Sequence, residues 1–152
     1  MRLTDFGRDE KEVLTEGINL LKGANEILKY SYETCSKIGI KEEYTFDELD
    51  RFEALTSRFS RASDILIQKV FRRIDIIELE GSGTVIDRIN RAEKRNIVED
   101  AEKLKKIRRL RNDIAHEYLP EVVSGIFKEV LRMTAILIGD IEKTIEYASA
   151  LQ

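Results

Sequence analysis

Residues 45–79 read TFDELDRFEALTSRFSRASDILIQKVFRRIDIIEL. Thr45 and Glu48 have the spacing of a capping box, in which the hydroxyl and the carboxylate each satisfy a free backbone N–H at a helix start. Phe52, Leu55, Phe59, Ala62, Leu66 and Val70 then recur at helical spacing, and Gly81-Ser82-Gly83 breaks the pattern. The spacing predicts one helix roughly 50 Å long at 1.5 Å per residue. Such a length is natural in a helical bundle.

The same rhythm extends on both sides. Residues 9 to about 37 place Val13, Leu14, Ile18, Leu21, Ile27 and Leu28 on one broad face, and Gly39 supplies a stop. Gly17 and Gly23 lower the propensity of this first helix, so each is either a weak point or a place where another helix comes close. Thr84 and Asp87 repeat the cap pattern before a short helix to about Lys94, and Asn96 and Glu99 mark another start. A helix from Ile97 to about Tyr118 follows. Pro120, acceptable only in a first helical turn, opens a last helix to about Ala148 that carries Val123, Ile126, Phe127, Val130, Leu137, Ile141 and Ile145. The expectation is an all-α fold: an antiparallel up-and-down four-helix bundle with one short accessory helix, in a single domain over 1–152.

Composition narrows the function. The net charge is −3, so polyanion binding must come from a local cluster rather than from the global field. Lys103, Lys105, Lys106, Arg108, Arg109 and Arg111 form the one basic concentration. Cys35 is the only cysteine and His116 the only histidine, which leaves no disulfide and no Cys/His metal cluster. No metal site and no cofactor are expected. MRLTDFGRDEKEVLTEG lacks the apolar core of a signal peptide, and no apolar run approaches the roughly 20 residues that span a bilayer. A cytoplasmic protein without membrane contact is expected.

The lone histidine lies in RNDIAHEY, residues 111–118. On a regular helix Arg111 and His116 project about 140° apart, whereas Asn112 and His116 are one turn apart and Arg108 continues their row. Leu104, Ile107, Leu110 and Ile114 supply the buried side. Arginine donates two hydrogen bonds at once to a phosphate, and histidine exchanges protons near neutral pH. Together they suit attack of an RNA 2′-hydroxyl on its adjacent phosphate, with His116 as base or acid and Arg111 stabilising the phosphorane. Asn112 could orient the imidazole or bind a phosphate oxygen. Lys105, Arg108 and Arg109 are the candidate phosphate contacts. A mechanism that needs two histidines requires a symmetric homodimer.

Each feature also has a structural explanation. A histidine near a helix end can be a cap, Tyr118 can be a packing residue, and a basic run can be a solvated face. Ser57, Arg61, Asp64 and Gln68 recur at steps of four, three and four along the second helix. That stripe is either a surface row with an Arg61–Asp64 ion pair or a set of residues, Ser57, Arg61 and Asp64 among them, beside the active centre.

Arg111, Asn112, His116 and Tyr118, on the penultimate helix of a small all-α chain, resemble the signature of the HEPN superfamily and in particular of the HepT-type toxins, R-x4-6-H followed by x-Y. Residues 55–72, LTSRFSRASDILIQKVFR, resemble the second helix of proteins encoded beside minimal nucleotidyltransferases, often named nucleotidyltransferase substrate-binding proteins. The resemblance implies a HEPN-like domain and a homodimer whose two motifs face each other across a cleft and cut RNA without metal. It implies catalytic roles for Arg111 and His116, support from Asn112, and Tyr118 as the acceptor of AMP from a nucleotidyltransferase antitoxin. The alternative is a non-catalytic nucleotide- or substrate-binding module that partners a nucleotidyltransferase.

Overall fold

The structure, a computed structural model, describes residues 9–116 and 120–152, with the side chains of 116 and 120–124 outside that description. Its first helix, α1 (Glu10–Ile38), starts where the Asp9 carboxylate accepts the Lys11 N–H and ends at Gly39, whose N–H closes the last turn on the Cys35 carbonyl and whose φ of 76° turns the chain out of the helix. Leu14, Ile18, Leu21 and Leu28 form its fully buried stripe. The second helix, α2 (Phe46–Asp64), opens on the expected capping box: Thr45 Oγ accepts the Glu48 N–H at 3.1 Å, and Glu48 accepts the Thr45 N–H at 3.0 Å.

The predicted single helix over 45–79 holds as a right-handed helical course, but its centre is not α-helical. Residues Ile65–Val70 form a π turn, and α3 (Phe71–Ile77) follows without a break in backbone handedness. The neighbours Leu66 and Ile67 are both buried, as are Val70 and Phe71. A wider turn brings adjacent residues closer together in direction than the 100° step of an α-helix, which helps these four reach the core. Arg88 satisfies one carbonyl of this turn, donating to Ile67 O at 3.3 Å. Opposite it lies Gly17, where an added Cβ would stand 3.5 Å from Val70 Cγ2, an ordinary contact distance.

The helical course ends at Ile77, close to the expected limit at about Leu79. Leu79 takes φ 62°, and the Glu80 N–H returns to the Asp75 carbonyl at 2.7 Å. Helix α4 (Val85–Lys94) has the expected Thr84–Asp87 box. Asn96, expected to open the next helix, instead closes α4 at φ 63°, and α5 (Ala101–His116) begins later. Three carboxylates receive the incoming N–H groups there: Asp140 that of Glu99, Glu93 that of Ala101, and Asp100 that of Glu102. The last helix, α6 (Pro120–Ser149), completes a fold with no strand among the described residues.

Helix α1 packs on α2 and α6, while α5 packs on α2, α4 and α6. The buried apolar residues form one cluster, in which Phe52 stacks on Phe127 at 4.8 Å between ring centroids and Tyr44 packs against both rings. Buried Asp75 on α3 receives Arg91 and Arg95 from the α4 segment at 2.7 and 2.5 Å, which fixes the junction between the two. No described helix is long and apolar enough to cross a membrane.

Candidate functional site

Arg111 sits near the end of α5, and its guanidinium reaches the last residue of α2. Its Nε donates to Asp64 Oδ1 at 3.0 Å and Oδ2 at 3.1 Å, and its Nη2 donates to Oδ2 at 2.9 Å. The two side chains are 34% and 44% exposed. A pair this open contributes at most about 1 kcal/mol to stability. Its main consequence is orientation: the planar fork is locked on one edge, and Nη1 stays outside the pair.

Asp64 meets Arg111 at the point where the π turn starts. Asp64 is the last α-helical residue before the backbone widens, and Ile65 and Ile67 of the turn line the same cavity as Arg111. That cavity is a groove of about 990 Å³ between α1, the π turn and α5. Helix α5 contributes Arg108, Arg111 and Asn112, three residues on adjoining faces. Arg61, Asp64, Gln68 and Lys69 form the facing wall, and α1 supplies a floor that includes Leu20, Gly23 and Ile27. Four cationic side chains, Arg61, Lys69, Arg108 and Arg111, thus stand against one carboxylate in a protein of net charge −3. The result is a local positive field that the overall charge conceals.

The residues singled out from the sequence divide accordingly. Arg111, Asn112, Arg108, Arg61 and Asp64 line one groove. The Asp64 carboxylate meets Arg111, not Arg61, so the Arg61–Asp64 pair does not form. Ser57, from the same stripe, is exposed and lies outside the groove, as does Arg109 on α5. Lys105 also lies outside it, its ammonium 2.8 Å from Glu102 one turn away on its own helix. His116 is the last residue of α5 and its side chain lies outside the described part; Tyr118 lies outside the described residues altogether.

Asn19, Leu20 and Lys69 were not singled out in the sequence. Asn19 and Leu20 sit beside the main apolar stripe of α1, and nothing in their spacing shows that a cavity rather than solvent faces them. No family model, curated protein or solved structure matches this chain. Fold and site together define an all-helical protein with a cation-rich groove beside an oriented arginine.

Proposed function

We propose that this protein is the toxin of a toxin–antitoxin pair, an endoribonuclease that cleaves RNA without metal through Arg111 and His116. The observation that carries this reading is the grouping of Arg111, Asn112 and Arg108 on one groove, with Asp64 holding the arginine fork. In the reaction His116 takes the proton of the attacking 2′-hydroxyl, or delivers one to the leaving 5′-oxygen. Arg111 stabilises the charge that builds on the phosphorane, and Asn112 orients the imidazole or a phosphate oxygen. A homodimer is the competent unit, because Arg111 and His116 project about 140° apart on one regular helix and a second chain can bring the two groups to one phosphate. AMP attached by a minimal nucleotidyltransferase antitoxin to Tyr118, two residues after His116 in the sequence, adds bulk and negative charge, which repels RNA. The protein acts in the cytoplasm. The pairings of α1 with α2, α2 with α5, α5 with α6 and α6 with α1 close a ring, which supports the antiparallel four-helix arrangement of a HEPN-like domain, with α4 as the accessory helix.

The test is cleavage of structured and unstructured RNA by the protein purified without a partner, in the presence of EDTA. Wild type is expected to cut, and His116→Ala and Arg111→Ala to lose activity by about 100-fold or more. Uncut RNA, or equal cutting by His116→Ala, overturns the reading. A second reading, a binding module that presents nucleotide or substrate to a nucleotidyltransferase, is favoured by one feature: Asp64 already engages two of the three guanidinium nitrogens of Arg111. It requires salt-sensitive binding and no products.

A further inference from the structure

Gly23 has no packing explanation. A Cβ built there meets nothing within 4 Å, whereas one at Gly17 meets Val70. Glycine inside a helix is destabilising relative to alanine, so a glycine that accommodates no neighbour leaves depth instead. The depth opens into the groove, where Leu20 and Ile27 flank it, 50% and 39% exposed. These aliphatic side chains offer a small apolar surface among the cations. Two side-chain amides, Asn19 and Gln68, line the same cavity. Arg88 donates to the Gln68 amide oxygen at 3.4 Å, which leaves the NH2 of Gln68 as the donor it offers to a ligand.

We propose that the groove between α1 and the π turn is a base-selecting subsite for single-stranded RNA. The flat face of an unpaired base lies on Leu20, Gly23 and Ile27, its edge meets Asn19 and Gln68, and the adjoining phosphates meet Arg61 and Arg108. The proposal rests on the reading that RNA is what this site meets, and it adds where one nucleotide is held and how it is chosen. Cations alone would accept any polyanion. The apolar floor and the amides select for a base that is free of pairing, because the paired bases of an A-form helix offer neither face nor a readable major-groove edge. Charge also separates RNA from a second copy of the chain as occupant. A copy that filled the floor would set Arg61 and Lys69 against their own image, whereas the proposed homodimer brings only the partner's His116 to Arg111 on the α5 wall.

The test uses the full-length protein and fluorescent 2′-O-methyl RNA octamers, which lack the attacking hydroxyl and are not consumed. Probes are oligo-A, oligo-C, oligo-G, oligo-U and a duplex of the same length. Wild type is expected to favour single strands over duplex and to rank the four bases unequally. Gly23→Leu fills the floor while improving helix propensity, so it melts no lower than wild type and binds the best octamer at least tenfold more weakly. Gln68→Ala is expected to bring the four affinities closer together. Equal binding by wild type and Gly23→Leu overturns the proposal, as do equal ranking of the four bases, equal binding of duplex, and no binding of any probe. A change of oligomeric state in Gly23→Leu, seen by sedimentation, also overturns it, since the groove is then an interface between copies. Cleavage of ordinary RNA is measured in parallel. Wild type that cuts RNA while Gly23→Leu binds normally removes the subsite and keeps the ribonuclease. Wild type that binds selectively but never cuts removes the ribonuclease and keeps the subsite.

Discussion

An arginine that is to stabilise charge on a phosphate must be held still without being used up, and the Arg111–Asp64 pair meets both needs: two contacts through Nε and Nη2, with Nη1 outside them. Asp64→Ala is expected to lower RNA cleavage about tenfold, because the fork loses the edge that orients it. Asp64→Asn keeps an acceptor and removes the anion. Its RNA affinity should rise at low salt, and the slope of log affinity against log salt should steepen by about 0.7, the value for one more phosphate contact on a single strand. Salt titrations of both variants check this. A second residue links charge to folding at the other end of α5. Asp140 is buried, and burial pushes its carboxyl up to about 6, with Glu99 and Asp100 adding to the rise while the Glu99 N–H and Lys143 oppose it. The native state therefore holds a proton that the unfolded chain has released between about pH 4 and pH 6. The stability that this group contributes is complete below the unfolded value and is lost as pH rises through about 6. At pH 7 the buried charge costs up to about 3 kcal/mol. Asp140→Asn, which keeps the acceptor for Glu99, is expected to melt higher than wild type at pH 7 and to lose that advantage near pH 4. Thermal melts of both proteins across that range measure the difference.

At the scale of elements, what could be read in advance was local chemistry. The Thr45–Glu48 and Thr84–Asp87 boxes start helices where their spacing says they should, and Gly39 stops one, because each device is complete within a few residues. The π turn could not be read. It depends on Leu66, Ile67, Val70 and Phe71 all finding the core, a property of what surrounds them. The partner of Asp64 was hidden for the same reason, since Arg111 is 47 positions away and meets it only across packed helices. The end of α3 shows local preference overridden. Leu79 occupies a left-handed position that usually falls to glycine, and does so with its side chain 92% exposed. No packing of its own side chain offsets that strain. Leu79→Gly is expected to stabilise the protein by about 1 kcal/mol, read as a rise in melting temperature of a few degrees. A fall would mean that the conformational entropy glycine adds to the unfolded chain outweighs the strain it relieves.

At the scale of the whole molecule, the groove and the histidine pose a question of assembly. With α5 helical through His116, that position and Arg111 project from the axis about 140° apart, so one regular helix does not aim both at one phosphate. A homodimer resolves this if the arginine of one chain works with the histidine of its partner. Mixing two inactive proteins separates the arrangements. Arg111→Ala and His116→Ala, refolded together in equal amounts, give mixed dimers in about half of the population, and each mixed dimer rebuilds one of two shared sites. Recovery of about a quarter of wild-type cleavage is therefore expected, and with one variant in large excess the rate counted per molecule of the other rises toward that of a wild-type chain. Sites contained within single chains recover nothing, because every chain in the mixture lacks one of the two groups. A single central site that needs both histidines at once also recovers nothing, but it has a separate signature: mixtures of wild type with His116→Ala then lose activity as the square of the wild-type fraction, whereas independent sites lose it in direct proportion. The two mixing curves together identify which residues of which chain meet at the phosphate.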